Sequence, residues 1–89
     1  EVADLTDELR EAQDIEAGGV LILNVESGAA SKAGIRKGDI IMSLDNEQIK
    51  DSEHFLAVAK ALEKGKAIPV LVQRGQSALF LAVRIEKSD

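Results

Sequence analysis

The chain has 89 residues, of which 45% are hydrophobic and 30% charged, and these proportions indicate one globular domain with one modest core. Its formal net charge of −5 argues against a nucleic-acid partner, because phosphate binding requires clustered positive charge, and two Phe are too few for base stacking. The absence of Cys excludes disulfides and thiol catalysis, and no apolar run approaches the roughly 20 residues of a membrane span.

The first predicted elements are a strand, a short helix and a second strand. Residues 2–5 predict a strand, and Thr6 is a suitable N-cap for a helix over TDELREAQD. The run VLILNV at residues 20–25 is short, apolar and rich in β-branched residues, which favours a buried strand. We interpret this run as the central strand of a sheet.

Turn-forming residues divide the next segment. The run GAASKAG predicts one helical turn that ends at Gly34, because Gly adopts a left-handed conformation at little cost. Gly38 permits another tight turn into a strand at residues 39–44. Asp45 and Asn46 predict a turn before a brief strand at residues 47–49.

The clearest helix is predicted over residues 52–64, with Asp51 or Ser52 as its cap and Gly65 as its terminator. Its apolar residues cover a wider arc than one packing face needs. We therefore divide them into a set that packs in the core and a half-exposed set that lines some other feature of the surface. The core set is Phe55, Val58 and Leu62, and the half-exposed set is Ser52, Leu56 and Ala59.

The remaining residues predict a hairpin, in which AIPVLVQR and SALFLAVRI are joined by a turn at residues 74–76. Pro69 lacks an amide hydrogen, so its strand should have a free amide side or a bulge at that position. The order of elements predicts a mainly β (α+β) fold with two helices. We expect a partly open barrel or sandwich of five to six strands, capped by the helices.

No motif in the sequence indicates catalysis or metal binding. His54 is the only His, and no Ser lies in a G-x-S-x-G setting, so a Ser-His-acid triad has little support. We interpret His54 as a solvent-facing helix residue. GIRKGD lacks the GK[ST] of a phosphate-binding loop, and DNE lacks the Gly and terminal Glu of an EF-hand loop. We expect no cofactor, no metal and no enzyme active site within this chain.

The stretch SGAASKAGIRKGDIIMSLDNEQI, residues 27–49, closely resembles the signature region of bacterial PDZ domains. The usual form of that region is S-P-A-x-x-A-G-[LI]-x-x-G-D-x-I-x-x-[IVL]-[ND], and Gly28 departs from it where the family often has Pro. The start VADLTDE, followed by a helix and GGVLI, resembles the PDZ domains of the Deg/HtrA serine proteases, which are exported, MucD-like proteases of protein quality control. The run VQRGQSALFLAVRI resembles the end of their second, C-terminal PDZ domain.

This resemblance implies that a peptide C-terminus or an extended hydrophobic segment adds as a strand between the first strand and the helix that starts at Ser52. In the family, a short Gly-containing loop before the binding strand holds the terminal carboxylate. Because the chain starts at Glu1, on that strand, we expect residues 1–89 to be one PDZ domain of a longer protein, with this loop truncated. The expected peptide-binding residues are Val2, Ala3, Asp4, Leu5, Ser52, Leu56 and Ala59.

The resemblance leaves two functions of different class. The first is a non-catalytic peptide-binding module of a periplasmic serine endopeptidase, with unfolded or C-terminal peptides as partners and a role in regulating the protease. The second is a structural module that contacts the protease domain and the other PDZ domain and sets oligomer assembly. A PDZ domain from an intramembrane protease or a secretion component is a third possibility. Under the first function, Leu56→Glu should abolish binding of hydrophobic C-terminal peptides.

The charged residues expected near the groove are acidic, namely Glu1, Asp4 and Glu53. They predict that acidic peptides bind less tightly than neutral or basic ones.

Overall fold

Six antiparallel strands form one sheet in the computed structural model, which describes residues 1–84. Their order is β1-β2-β3-β5-β6, so β1 and β6 lie at its two ends as edge strands, and β4 pairs with β3. The predicted mainly β, partly open fold is confirmed. The predicted hairpin extends to Ile85, which lies outside the described residues. The strands are β1 (Val2–Asp4), β2 (Val20–Ile22), β3 (Ile40–Leu44), β4 (Glu47–Gln48), β5 (Ala67–Arg74) and β6 (Ser77–Arg84).

Three helices pack on this sheet, α1 (Asp7–Gln13), the single turn α2 (Ala29–Ala33) and α3 (Ser52–Lys60). Thr6 caps α1 and Asp51 caps α3, each through a side-chain oxygen that accepts a main-chain N–H of the first turn. The helix α3 ends before the predicted residue 64, because the N–H groups of its next two residues bond three residues back and tighten the turn. No helix within residues 1–84 has the length and hydropathy to cross a bilayer.

The core consists of two clusters on opposite faces of the sheet. The larger cluster contains Val20, Ile22 and Ile41 and packs beneath α2 and α3. The smaller cluster joins Leu5, Ile15 and Ile40 beneath α1. Neighbours along a strand, such as Ile40 and Ile41, thus face opposite ways, as strand geometry requires. Our interpretation of residues 20–25 as the central strand is wrong, because β3 lies at the centre of the sheet and buries side chains on both faces.

Turn residues set the connections between strands. Asp45 and Asn46 have φ values of 54° and 66°, which fits the type I′ hairpin turn between β3 and β4 and confirms the predicted turn. The carbonyl of Pro69 accepts the Asp45 N–H at 2.8 Å, just past the end of β3. The N–H position and the carbonyl of a strand residue point the same way, so the Pro69 nitrogen also faces Asp45. Asp45 lies beyond the last residue of β3, so no strand pairing there requires an N–H from Pro69. The free amide side predicted at Pro69 is therefore present.

A buried ion pair holds the start of β3. The Asp39 carboxylate, 2% exposed, accepts two hydrogen bonds from the Arg74 guanidinium at 2.7 and 2.8 Å and one from the Arg36 N–H at 2.9 Å. Arg74 also donates to the Gly34 carbonyl at 2.8 Å. Burial opposes ionisation of Asp39, but these hydrogen bonds outweigh burial and hold its pKa below the ordinary value. The pair links the turn before β3 to the end of β5.

Two glycines allow a matched test of backbone strain. Gly18 (φ 78°) and Gly34 (φ 98°) are both left-handed, but a Cβ on Gly18 would lie 2.5 Å from the Ile49 carbonyl oxygen, whereas a Cβ on Gly34 meets open space. We expect Gly18→Ala to lower the free energy of unfolding by about 2–4 kcal/mol and Gly34→Ala by about 1–2 kcal/mol. Urea unfolding followed by circular dichroism measures both losses. Equal losses would contradict the clash at Gly18.

Candidate functional site

An apolar cavity of about 480 Å³ opens between β1 and α3. Phe55 and Ala59 of α3 form one wall together with Leu62, just past the end of the helix, and Val2 lines the cavity from β1. A volume of this size is in the range of small-ligand pockets and accommodates an apolar side chain. The floor of the cavity is the larger core cluster, through Ile22, Ile35, Ile41, Leu44, Val70 and Val83.

The main chain of β1 has an open edge beside this cavity. Ile22 lies opposite Val2 and directs its own N–H and carbonyl to Asp39 and Gly38, on the far side of β2. The Leu23 N–H, in contrast, bonds to the Glu1 carbonyl. Because orientation alternates along an antiparallel pair, the N–H and carbonyl of Val2 point away from β2, and so do those of Asp4. The edge that can accept an added strand therefore borders the cavity directly.

A hydrogen bond joins β1 to α3 at the end opposite the cavity. The Asp4 carboxylate accepts the Ser52 N–H at 2.7 Å, and this bond lowers the pKa of Asp4 below its ordinary value. The helix therefore runs antiparallel to β1, with its first residue near Asp4 and its last turn near Val2. We use the term groove for the space between β1 and α3, from the cavity to the Asp4–Ser52 bond.

The structure brings together four of the seven expected peptide-binding residues. Val2 and Ala59 line the cavity, and Asp4 and Ser52 meet at the opposite end of the groove. The other three, Ala3, Leu5 and Leu56, lie outside the lining of the cavity.

These three residues have different environments. Ala3 lies opposite Leu21, and by the same alternation its main chain faces β2. Leu5 is buried in the smaller core cluster beneath α1. Leu56 is 52% exposed on α3. The structure therefore places the helical wall of the cavity one residue away from Leu56, at Phe55.

Sequence reasoning missed Phe55 and Leu62 as groove residues by assigning both to the core. Both do pack against the larger cluster, and both also line the cavity. Phe55 and Ala59 follow the spacing i, i+4 on one face of α3, and Leu62, at i+7, continues this line just past the end of the helix. That spacing was visible in the sequence and could have identified the helical wall.

The interpretation of His54 as solvent-facing is wrong. Its ring is 22% exposed, its Nδ1 accepts the Lys50 N–H at 3.0 Å, and its Nε2 lies 2.7 Å from a Glu47 carboxylate oxygen. Since Nδ1 accepts, the ring proton lies on Nε2 and is donated to Glu47. His54 therefore ties α3 to the connection that follows β4 and helps to fix the helix beside the groove.

The comparison with protein families identifies the fold. The family model described as "PDZ domain" matches residues 3–85. The chain belongs to the PDZ domain family. This PDZ domain is 38% identical over 84 residues to a probable periplasmic serine endoprotease, DegP-like, of Pseudomonas fulva, a match that covers 94% of this chain and 17% of that protein. It is 36% identical over 85 residues to the protein of the same name from Hahella chejuensis, with 96% and 18% covered.

Solved structures give the same assignment. The HtrA-type protease AlgW with a decapeptide has a TM-score of 0.82 and 26% identity, with 97% of this chain and 27% of that chain covered. The HtrA3 PDZ domain bound to a phage-derived ligand (FGRWV) shares the fold, with a TM-score of 0.77, 20% identity, and 94% and 78% covered. The resemblance to Deg/HtrA PDZ domains is thus confirmed, and the curated relatives are named periplasmic, as the resemblance implied.

Proposed function

We propose that this PDZ domain binds a C-terminal or extended hydrophobic peptide as a strand added to β1, with one apolar side chain in the cavity. The observation that carries this proposal is the position of the open edge at Val2 directly beside the wall formed by Phe55 and Ala59. Main-chain hydrogen bonds along β1 would give sequence-tolerant affinity, and the cavity would select the side chain. The similar structures of AlgW with a decapeptide and of the HtrA3 PDZ domain bound to FGRWV support a peptide as the ligand.

We further propose that the domain is a non-catalytic module of a periplasmic serine endoprotease of the HtrA type and helps to regulate it. The chain spans less than a fifth of the length of its DegP-like relatives, so catalytic residues would lie outside it. Its placement as the second, C-terminal PDZ domain, with the protease domain and the other PDZ domain as partners, rests on the resemblance of VQRGQSALFLAVRI.

An NMR amide-shift titration of the 89-residue chain tests peptide binding. The ligand is an apolar hexapeptide that ends in valine, and its control has aspartate in place of that valine. We expect shifts at Val2, Phe55 and Ala59 with the first peptide and much smaller shifts with the second, because the cavity is apolar. A C-terminal amide of the first peptide separates recognition of a free carboxylate from recognition of an extended segment. Absence of shifts with all of these peptides would overturn the proposal.

The charges around the groove predict a preference among peptides. Glu1 and Glu26 are the charged residues that line the cavity, Asp4 lies at the other end of the groove, and Glu53 is exposed in the first turn of α3. We expect a peptide with two added Asp residues to bind roughly threefold to tenfold less tightly than one with two added Lys residues at low salt. The difference should shrink as salt is raised to about 0.5 M. Tighter binding of the acidic peptide would contradict this placement of the groove.

A second candidate function is assembly, and exposed apolar side chains on the β5–β6 hairpin favour it. Phe80 is 75% exposed and lies opposite Leu71, on the outer face of the sheet, with Ala78 and Ala82 two residues away on either side. Exposed apolar patches on soluble domains often mark protein contacts. Under this function, Phe80→Ser changes the oligomeric state of the full-length protein and leaves the peptide affinity of this domain unchanged. An unchanged oligomeric state would argue against assembly through this face.

A further inference from the structure

We propose that Asp4 determines the length of the peptide segment that the groove accepts, because its hydrogen bond to the Ser52 N–H closes the groove at the end opposite the cavity. This inference rests on the proposed function and adds a ligand-length preference to it. It concerns one bond, 2.7 Å long, between a side chain of the open edge strand and the first residue of the groove helix.

While it is formed, this bond crosses the groove in which an added strand would lie. The Asp4 carboxylate oxygen is 2.7 Å from the Ser52 nitrogen, so the Asp4 Cα lies within roughly 6 Å of that nitrogen. An added strand would run about 4.8 Å from β1 on this side. Because the Asp4–Ser52 bond joins β1 to α3 across the groove, an added strand beside Asp4 would compete with this bond for space. A ligand strand can therefore pair with Val2 but must leave the groove, or open the bond, at Asp4.

The bond can open without loss of the helix. Asp51 caps α3 independently by accepting the His54 N–H at 2.8 Å, and His54 bonds to both Lys50 and Glu47. The Asp4 bond is exposed but charge-assisted, which also explains the lowered pKa of Asp4. Opening it should reduce the affinity of a long ligand by roughly threefold to tenfold, whereas a short ligand at the cavity leaves the bond intact.

The test compares a tripeptide and an octapeptide that share the same three C-terminal residues, the octapeptide being extended by neutral residues. Three forms of the 89-residue chain are compared, namely the natural protein, Asp4→Ala and Asp4→Asn. Asp4→Ala removes the hydrogen-bond acceptor, whereas Asp4→Asn keeps an acceptor without the charge. We expect the natural protein to bind both peptides within about twofold of each other. Asp4→Ala should raise the affinity for the octapeptide, relative to that for the tripeptide, by about threefold to tenfold. Asp4→Asn should resemble the natural protein.

Several outcomes separate the explanations. An unchanged ratio of the two affinities in Asp4→Ala overturns the inference and leaves the proposed function intact. An equal gain in Asp4→Asn would show that charge, and not closure, sets the preference, and would also overturn it. Absence of binding of either peptide to all three proteins would overturn the proposed function as well. In the natural protein, the Ser52 amide reports the bond directly, and only the octapeptide should shift it.

Discussion

Arg74→Met is expected to lower the free energy of unfolding by about 3–5 kcal/mol at neutral pH, the largest loss of stability that we predict. The reason is the Asp39 carboxylate, which is 2% exposed and would keep only the Arg36 N–H as a partner. A buried charge left without its counter-ion lowers the free energy of unfolding by far more than the intact ion pair raises it. Urea unfolding followed by circular dichroism measures the loss, since the chain has neither Trp nor Tyr as a fluorescent probe.

The pH dependence of this loss identifies its cause. In the natural protein the pKa of Asp39 is lowered, so its contribution to stability is fully present above the unfolded-state pKa of about 3.9 and is lost as the pH falls through the lowered value. Without Arg74, burial should instead raise the pKa of Asp39 above 3.9. The folded variant would then bind a proton more tightly than the unfolded chain. Acidification from about pH 7 to about pH 4.5 should therefore reduce the difference in the free energy of unfolding between Arg74→Met and the natural protein.

A matched control is available at Arg36, which supplies a main-chain N–H to Asp39 and has an exposed side chain. Arg36→Met should change stability by no more than about 0.5 kcal/mol. A loss in Arg74→Met that is equally small, or that does not shrink at lower pH, would show that the ion pair does not hold the start of β3 in place.

Ala59→Leu is expected to weaken binding of an apolar peptide by at least about tenfold while the domain stays folded. Ala59 lines the cavity between Phe55 and Leu62, so the larger side chain would occupy the space that a ligand side chain needs. Because it fills an existing cavity, the substitution should leave the free energy of unfolding unchanged or raise it slightly. Isothermal titration with the valine-terminated hexapeptide measures the affinity.

Ala57→Leu is the control for this prediction. It makes the same change in the same helix at an exposed position that does not line the cavity, so helix propensity changes equally in both variants. Peptide affinity should be unchanged in Ala57→Leu. If both variants bind as the natural protein does, the cavity does not receive the ligand side chain.

The elements that follow from local chemistry could be predicted from the sequence. The Thr6 cap, the left-handed end of α2 at Gly34 and the Asp45-Asn46 turn each depend on a preference of one or two residues, and all three are present. The pairing of the strands could not be predicted from the periodicity of the sequence. The run at residues 20–25 looked central because it is apolar, but which strand is central depends on pairing between segments distant in the chain.

The site was less predictable for the same reason. Asp39 carries no local signal of burial, and only the fold places the Arg74 guanidinium beside it. His54 depends in the same way on Glu47 across a turn. The rotation of α3 about its axis places Phe55, and not Leu56, beside the cavity. The helical period of the sequence does not show which side of the helix faces β1. Val2, Asp4, Ser52 and Ala59 were placed at the groove through the resemblance to PDZ domains.

Intermolecular NOEs between the unlabelled valine-terminated hexapeptide and the isotope-labelled 89-residue chain test strand addition most directly. Our account predicts NOEs from the valine methyl groups to the Ala59 methyl and the Phe55 ring, together with NOEs from ligand Hα protons to the Val2 amide. NOEs that connect the peptide instead to Phe80 on the β5–β6 hairpin would contradict the account, and would place peptide binding on the opposite edge of the sheet.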